Sequence, residues 1–215
     1  MPVHVERVEV EVAPGFIENC YLVNDVADAR RVVVVDPGAQ PERIHAALGG
    51  RTVERIVLTH RHFDHTGALS ALVQAGAAEV VAHALDADAV CDPVTSGAVP
   101  HGLVPPSTPA TATVEDGDYV PVGSARLRVI HTPGHTVGSM CLYDEEGAVL
   151  LSGDTLFFET CGRTDFPTGN ARQMRESLQR LARLPGRTVV HPGHDVDTTI
   201  AHELQHGALR PRNAD

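Results

Sequence analysis

The sequence predicts a mixed α/β protein in two halves, each containing several strands and helices. Residues 3–12, "VHVERVEVEV", alternate apolar and polar side chains, which is typical of a half-buried strand. Residues 31–36, "RVVVVD", form an apolar run that indicates a strand buried on both faces. Residues 170–185 repeat apolar side chains at helical spacing behind Asn170, a suitable N-cap residue.

The first half begins with strand 3–12, whose apolar pattern shifts register at Glu6 and Arg7 and therefore predicts a bulge. Residues 41–50 indicate a short helix, because Pro41 lies near its first turn and glycines follow its end. The other elements expected in this half are strands at 19–23, 31–36, 55–58 and 79–82, a helix at 66–76, and one or two helical turns at 85–91.

Residues 93–113 contain five prolines and have no clear periodicity. Proline disfavours both helix interiors and central strands, so this segment predicts a long surface loop near a substrate entrance. The second half is expected to contain strands at 125–130, 139–144, 148–153 and 188–191 and helices at 170–185 and 198–209. Because no linker is apparent between the halves, we predict one domain over residues 1–215.

The composition excludes several classes of protein. Acidic side chains outnumber basic ones by 28 to 17, and a formal charge of −11 disfavours binding to nucleic-acid phosphates. No apolar run approaches the roughly 18 residues that span a bilayer, and the N-terminus lacks a signal-peptide pattern. The four cysteines are far apart, which argues against a disulfide framework or a cysteine zinc site. We expect a cytoplasmic protein with a small-molecule substrate and no membrane partner; the oligomeric state stays open.

The segment "THRHFDH" at 59–65 concentrates metal-binding side chains directly behind the apolar run "RIVL". Their spacing does not match one face of a helix, and grouping such side chains costs stability unless a cation binds them. Three further residues follow apolar strands in glycine- or proline-marked turns, where a sheet can direct them to one place. The candidate ligands are His60, His62, Asp64, His65, His135, Asp154 and His194.

Five imidazoles and two carboxylates suit zinc, with iron or manganese as alternatives. Seven ligands exceed the four of one tetrahedral ion and match two divalent ions about 3.5–4 Å apart that share a carboxylate. Any single histidine behind a strand is more often structural, so the prediction depends on the whole set. His131 and His191, each three residues before a candidate ligand, are candidates for orienting those ligands through hydrogen bonds.

The motifs "THRHFDH", "TPGHTVGS", "SGDTLF" and "HPGHD" occur in the order found in the metallo-β-lactamase superfamily, which the chain resembles over nearly its whole length. The resemblance implies a four-layer αββα sandwich with metals at one edge between two sheets. It assigns His60, His62 and His135 to one metal and Asp64, His65 and His194 to the other. Asp154 would bridge the two metals.

Within that superfamily, "GDTLFFETCGRTDFPTG" most resembles glyoxalase II-like hydrolases, which cleave hydroxyacylglutathione thioesters. The chain ends soon after the last metal motif and so resembles the short glyoxalase II-like forms, which lack much of the helical region that holds glutathione. Persulfide dioxygenases also share "CGRTDF" and bind one iron through residues matching His60, His135 and Asp154. They carry alanine in place of Gly193 and an aromatic residue in place of Val196.

The expected reaction is hydrolysis of a thioester or small ester by a hydroxide shared between two ions, since zinc alone lowers the pKa of water to about 7. Asp64 is expected to ligate a metal and orient this hydroxide, and Arg163 is a candidate for binding an anionic substrate group. A thiolate leaves without strong protonation, so no dedicated acid is required. The alternatives are an iron-dependent persulfide dioxygenase and a non-catalytic metal-binding module.

Overall fold

The first half of the chain forms one six-stranded sheet with helices on its outer face. The structure, a computed structural model, describes residues 1–77 and 79–210; residues 78 and 211–215 of the predicted domain lie outside the described residues. The elements of this half are β1 (Val3–Ala13), β2 (Phe16–Asp25), β3 (Asp28–Val35), α1 (Pro41–Leu48), β4 (Thr52–Leu58), α2 (Phe63–Thr66), α3 (Leu69–Gln74), β5 (Glu79–His83), α4 (Ala84–Ala87) and β6 (Ala112–Val114). The strand order is β1-β2-β3-β4-β5-β6, and β3 to β6 pair in parallel.

The second half forms another six-stranded sheet, in the order β14-β13-β10-β9-β8-β7. Its elements are β7 (Tyr119–Val122), β8 (Ala125–His131), β9 (Met140–Asp144), β10 (Val149–Gly153), β11 (Leu156–Phe157), β12 (Thr160–Cys161), α5 (Ala171–Leu181), β13 (Val189–Pro192), β14 (Thr198–Thr199) and α6 (Ile200–Gln205). The β11 and β12 strands pair with each other as a separate hairpin. Asn170 caps α5 as predicted, because its side-chain oxygen accepts hydrogen bonds from the backbone of Arg172 and Gln173.

Three hydrophobic clusters show that the layers stack as α, β, β, α. Side chains of β3 alternate between two clusters: Val32 and Val34 pack towards α1 and α3, whereas Val33 and Val35 pack between the two sheets. A third cluster joins the outer face of the second sheet to α5 and α6. The predicted four-layer αββα sandwich is therefore confirmed. The prediction of burial on both faces holds for residues 32–36, whereas Arg31 is exposed.

Several predicted elements differ in the structure. The predicted bulge at Glu6 and Arg7 is wrong: β1 pairs with β2 without interruption from Val3, and the register shifts between Glu11 and Ala13. The predicted helix 66–76 is two short helices, because the chain already turns into α2 at Phe63, inside the histidine motif. The segment 93–113 contains a short 3-10 helix at Val99–His101 and the start of the edge strand β6.

The topology brings one set of strand ends to a common edge. Strands β8 and β10 each run antiparallel to β9, and β10 pairs in parallel with β13, so all three end on the same side of the second sheet. Hydrogen bonds join this side to the first sheet, from Asn19 N to Gly193 O at 2.8 Å and from Met140 N to Thr59 O at 2.9 Å. The loops that carry the histidine motifs therefore meet between the sheets.

Two sequence-based exclusions can be compared with the structure. Cys20, Cys91 and Cys141 form no disulfide within the described residues, which agrees with the expectation that the chain has no disulfide framework. None of the helices in the described residues has the length and apolar character required to cross a bilayer.

Candidate metal centre

All seven candidate ligands lie together at the edge between the sheets. His60, His62, Asp64 and His65 follow β4 and continue into the first turn of α2, while His135, Asp154 and His194 follow β8, β10 and β13. Six of the seven are buried, and His194 is partly exposed. Sequence reasoning therefore placed every member of this set in one cluster.

The first group consists of His60, His62 and His135, each of which offers a ring nitrogen within 4.8 Å of the others. The Nδ1 atom of His62 lies 2.8 Å from Nε2 of His135. The rings of His60 and His62 meet edge to face, with centroids 4.8 Å apart. Converging lone-pair nitrogens of this kind form a donor set that suits zinc or another transition-metal ion.

The second group consists of Asp64, His65 and His194, whose ligand atoms also lie within 4.8 Å of one another. Asp64 Oδ2 lies 3.3 Å from His194 Nε2 and 3.6 Å from His65 Nε2. One carboxylate oxygen thus faces both imidazoles of its group, as expected for a mixed oxygen and nitrogen site.

Asp154 lies between the two groups. Its Oδ2 atom is 3.4 Å from Nε2 of His135 in the first group and 3.7 Å from Nε2 of His194 in the second. Its Oδ1 atom is 3.3 Å from Nε2 of His65. No other described carboxylate has oxygens this close to imidazoles of both groups, so this residue alone has the position of a bridging ligand.

The charge states of the candidate ligands differ within the cluster. Burial, followed by repulsion from His135, lowers the pKa of His62 to about 3, and burial lowers the pKa of His60 well below its usual value. Burial raises the pKa of Asp154, but the charges of His65, His194 and His135 outweigh it and hold the pKa well below its usual range. Near neutral pH the imidazoles of His60 and His62 are therefore neutral and the Asp154 carboxylate is ionised, whereas the carboxylates of Asp154 and Asp64 outweigh burial and raise the pKa of His65 and His194.

Unsatisfied polar atoms provide a second test of the fit to metal. Three buried atoms that face the cluster, His60 Nε2, His65 Nε2 and Asp154 Oδ1, have no aligned hydrogen-bond partner in the described part of the chain. Buried polar atoms rarely remain unpaired, because each one costs desolvation energy. The residues present therefore fit a metal site.

The ligands are oriented by residues other than those predicted from sequence. The prediction for His131 and His191 is wrong: His131 contacts the carbonyl of Val137, and His191 pairs with Asp197. Backbone carbonyls orient two ligands instead, with His135 Nδ1 2.8 Å from Arg163 O and His194 Nδ1 2.6 Å from Ile17 O. These bonds fix which ring nitrogen faces the cluster.

Asp36 orients the remaining part of the cluster and was missed by the sequence analysis. Its Oδ2 atom lies 3.1 Å from His65 Nδ1 and accepts a 2.6 Å hydrogen bond from the hydroxyl of Thr59. That hydroxyl is also 3.1 Å from His60 Nδ1. Asp36 directly follows β3, so the rule that selected the ligands, a polar residue behind a buried strand, could have found it.

A buried ion pair connects the segment that carries His60 and His62 with the loop that carries His135. Asp86 Oδ1 lies 3.3 Å from the guanidinium of Arg61, which stands between His60 and His62. Asp86 also accepts a 2.6 Å hydrogen bond from the hydroxyl of Thr136 and a 2.9 Å bond from Gly138 N, on the far side of His135. One carboxylate therefore positions the chain on both sides of the first ligand group.

A cavity of about 520 Å³ opens above the cluster. Its walls include part of the predicted entrance loop 93–113 and the side chain of Arg163. The Arg163 guanidinium forms a double hydrogen bond with Asp165, at 3.0 and 2.8 Å, so it already has an acidic partner. The cavity leaves the ligand cluster accessible to a small molecule.

Comparison with known proteins agrees with this geometry. The family model described as the metallo-beta-lactamase superfamily matches residues 13–194, which include all seven candidate ligands. The chain belongs to the metallo-β-lactamase superfamily. This family binds two divalent metals, which accords with the two ligand groups of the present cluster.

Similar members of the superfamily have names that indicate different activities. A hydroxyacylglutathione hydrolase from Rhodospirillum rubrum is 38% identical over 83% of this chain, which spans 65% of that relative's length. The solved structure of BLEG-1 B3 metallo-beta-lactamase is 31% identical, with a TM-score of 0.88, over 95% of this chain and 98% of that one.

Two further solved structures are similar to the chain. TTHA1623 in a di-iron-bound form is 37% identical, with a TM-score of 0.81, and covers 93% of this chain and 98% of its own. ETHE1 from Myxococcus xanthus is 32% identical, with a TM-score of 0.77, over 94% of this chain and 82% of that one.

Proposed function

We propose that the protein is a metal-dependent hydrolase that cleaves a thioester or a related small ester. Two divalent ions would be held by His60, His62 and His135 on one side and by Asp64, His65 and His194 on the other. The observation that carries the proposal is the position of Asp154, whose oxygens lie 3.3 to 3.7 Å from imidazoles of both groups. The glyoxalase II-like names of curated relatives support a thioester substrate.

The reaction requires an added oxygen on the acyl carbon and loss of the sulfur. Divalent ions held by the two ligand groups would supply a water of lowered pKa as the nucleophile and would stabilise negative charge on the acyl oxygen. The Asp64 carboxylate, which lines the cavity, would accept a hydrogen bond that orients the attacking oxygen. The carbon–sulfur bond then breaks and the thiolate leaves with its electron pair.

The donor set supports zinc, with iron and manganese as alternatives. Imidazole and carboxylate ligands suit all three ions, and the two groups contain no cysteine. The similarity to the di-iron-bound form of TTHA1623 makes iron the first alternative. We also propose a small-molecule substrate and no nucleic-acid partner, because the accessible cluster lies in a cavity of about 520 Å³ on an acidic protein.

The second candidate function is iron-dependent persulfide dioxygenation, which the similarity to ETHE1, a persulfide dioxygenase, supports. One iron would then need only His60, His135 and Asp154. The second group argues against this alternative, because Asp64, His65 and His194 are all present and converge within 4.8 Å. A non-catalytic metal-binding module is the weaker third candidate, since such a module has no need of an open cavity above its ligands.

Oxygen consumption separates the two enzymatic candidates. Protein purified without oxygen is analysed for metals and assayed with S-lactoylglutathione, a neutral acyl thioester of N-acetylcysteamine, and glutathione persulfide. We expect about two metal ions per chain and cleavage of a thioester without oxygen uptake. His194→Ala should lower turnover by about 100-fold or more, since changes that merely reorient a metal ligand already cost 10- to 100-fold.

The matched control is His202→Ala, which removes a partly exposed histidine outside the cluster that pairs with Glu159. This variant should retain wild-type turnover. Stoichiometric oxygen uptake with persulfide, together with wild-type activity of His194→Ala, would assign the protein to the dioxygenases. Absence of both thioester cleavage and oxygen uptake in every metal-loaded form would leave the binding module.

Gly193 provides a further prediction about the second metal. A Cβ atom at this position would lie 2.5 Å from Asp154 Oδ1 and 2.7 Å from His65 Cε1. Gly193→Ala should therefore displace these ligands and weaken binding of the ion at Asp64, His65 and His194 by about 10-fold or more, as changes around metal ligands do. Chelator competition, monitored by elemental analysis, measures this affinity.

The control for this change is Gly186→Ala, because a Cβ atom there would be 3.4 Å from its nearest neighbour, Ala201 Cβ. Equal metal affinities for Gly193→Ala and the unmodified protein would show that Gly193 does not protect the second group.

A further inference from the structure

The walls of the cavity above the ligand cluster are unusually apolar for a site that handles charge. Four phenylalanines from separate segments line the cavity: Phe16, Phe63, Phe157 and Phe166. Val94 and Val99 from the entrance loop join them and are 61% and 56% exposed. Exposed apolar side chains grouped around a cavity indicate a surface that binds apolar ligands.

Three of these phenylalanine rings contact the candidate metal ligands directly. The ring of Phe16 stacks on His194 with centroids 5.1 Å apart, and Phe157 approaches the same histidine at 5.9 Å. Phe166 lies 5.2 Å from His62 and 5.7 Å from His135. A group whose reacting carbon reaches the cluster must therefore pass between aromatic rings on both sides.

Residues of the entrance loop form a further wall of the cavity. His101 packs against Phe63 with ring centroids 4.8 Å apart, so the two side chains present a continuous ring surface. Gly97 lies directly beside Phe63, where a Cβ atom would be 3.7 Å from the ring. This wall is therefore formed by the ring of Phe63 in α2, the ring of His101 and the backbone of the loop at Gly97.

Charged groups that could hold an anionic substrate are scarce along these walls. Outside the ligand set, Arg163 and His101 are the ionisable residues among the described residues that line the cavity. Arg163 forms a double hydrogen bond with Asp165 and lies 4.5 Å above the ring of Phe166. A substrate carboxylate that replaced Asp165 would exchange one ion pair for another and gain little.

From these observations we propose that the cavity binds an uncharged apolar arm, an alkyl or aryl acyl group on a neutral thiol, in preference to a charged carrier such as glutathione, which has two carboxylates and one ammonium group. The inference rests on the proposed thioester hydrolase function and specifies its substrate class. Each carboxylate of glutathione would either remain in water, outside the cavity, or lie against phenylalanine and valine without a free cation. Burying an unpaired charge in this way is costly, whereas each buried methylene contributes about 0.8 kcal/mol.

Equilibrium binding of unreactive thioethers tests the inference directly. Isothermal titration calorimetry of zinc-loaded protein compares S-hexyl-N-acetylcysteamine, S-methyl-N-acetylcysteamine and S-hexylglutathione. We expect the neutral hexyl compound to bind about 10-fold or more tightly than either of the others, because it alone combines an apolar arm with an uncharged carrier.

Variants locate the effect in the cavity. Phe63→Ala and the more conservative Val99→Ala should each weaken binding of the neutral hexyl compound. The matched control is Phe158→Ala, which removes a phenylalanine that stacks on His202 rather than lining the cavity. Asp165→Asn releases Arg163 and should improve binding of S-hexylglutathione while leaving the neutral compound unchanged.

Three outcomes would overturn the inference: tighter binding of S-hexylglutathione, equal binding of the methyl and hexyl compounds, or equal effects of Phe158→Ala and Phe63→Ala. Thioester assays with the same protein separate this failure from failure of the proposed function. Cleavage that favours glutathione thioesters refutes the substrate class alone. Apolar binding without cleavage of any thioester refutes the hydrolase and supports the apolar selectivity of the cavity.

Discussion

Replacing Asp154 with alanine should release both metal ions from the protein. Its carboxylate oxygens are 3.3 Å from His65 Nε2 and 3.4 Å from His135 Nε2, so the substitution removes a ligand from each group at once. Changes that merely reorient a metal ligand lower the metal affinity by about 10- to 100-fold. Loss of a shared ligand should therefore lower the affinity for both ions by about 100-fold or more. Turnover should fall below detection at limiting metal.

Elemental analysis after dialysis against a chelator, together with circular dichroism of the metal-free protein, measures this effect. Asp165→Ala is the control, because Asp165 is 65% exposed and pairs with Arg163 instead of facing the cluster. The control should keep both ions. Retention of one ion at wild-type affinity in Asp154→Ala would show that this carboxylate serves a single site.

Replacing Asp86 with alanine should produce the largest loss of stability. Asp86 is fully buried, and its removal would leave the Arg61 guanidinium, itself 3% exposed, without its acidic partner. Breaking a buried ion pair by removing one member typically lowers the free energy of unfolding by about 3–5 kcal/mol. The loss of bonds to Thr136 and Gly138 should also loosen the loop that carries His135.

Denaturant unfolding of the metal-free protein measures the stability change without a contribution from metal binding. Asp88→Ala is the control, since Asp88 is exposed and lies only two residues further along the chain. That variant should stay within about 0.5 kcal/mol of the unmodified protein. A similar result for Asp86→Ala would show that Arg61 is adequately solvated or paired elsewhere, for example by Thr168.

The sequence was most informative where local chemistry and sheet geometry coincide. The strand pattern at 31–36 predicted burial on both faces because side chains alternate, and Val32 and Val33 do enter different clusters. The positions of His135, Asp154 and His194 behind strands were recognisable because a polar residue that follows a buried strand reaches the edge of the sheet. The seven-membered cluster followed from these local patterns together with family resemblance.

The features that orient the ligands were less accessible to sequence reasoning. The carbonyl oxygens of Ile17 and Arg163 contact His194 and His135, but any residue has a carbonyl, so no side-chain pattern marks them. Glu18 is fully buried beside His65, at 3.7 Å from its Nδ1 atom, yet it lay just outside the strand predicted from residue 19. The bulge was misplaced because uneven burial along β1 imitates a register shift in the apolar pattern.

The two ligand groups have a thermodynamic consequence for the whole molecule. His60, His62, Asp64 and His65 extend from the first sheet, whereas His135, Asp154 and His194 extend from the second. Each of the two proposed ions would therefore cross-link segments that are more than 70 residues apart, as between His62 and His135. A ligand present at 100 times its dissociation constant stabilises the native state by about 2.7 kcal/mol per site. The metal supply of the cell would then set the amount of folded protein, because bound ions would hold the two sheets together. This effect would add to the requirement for metal in catalysis.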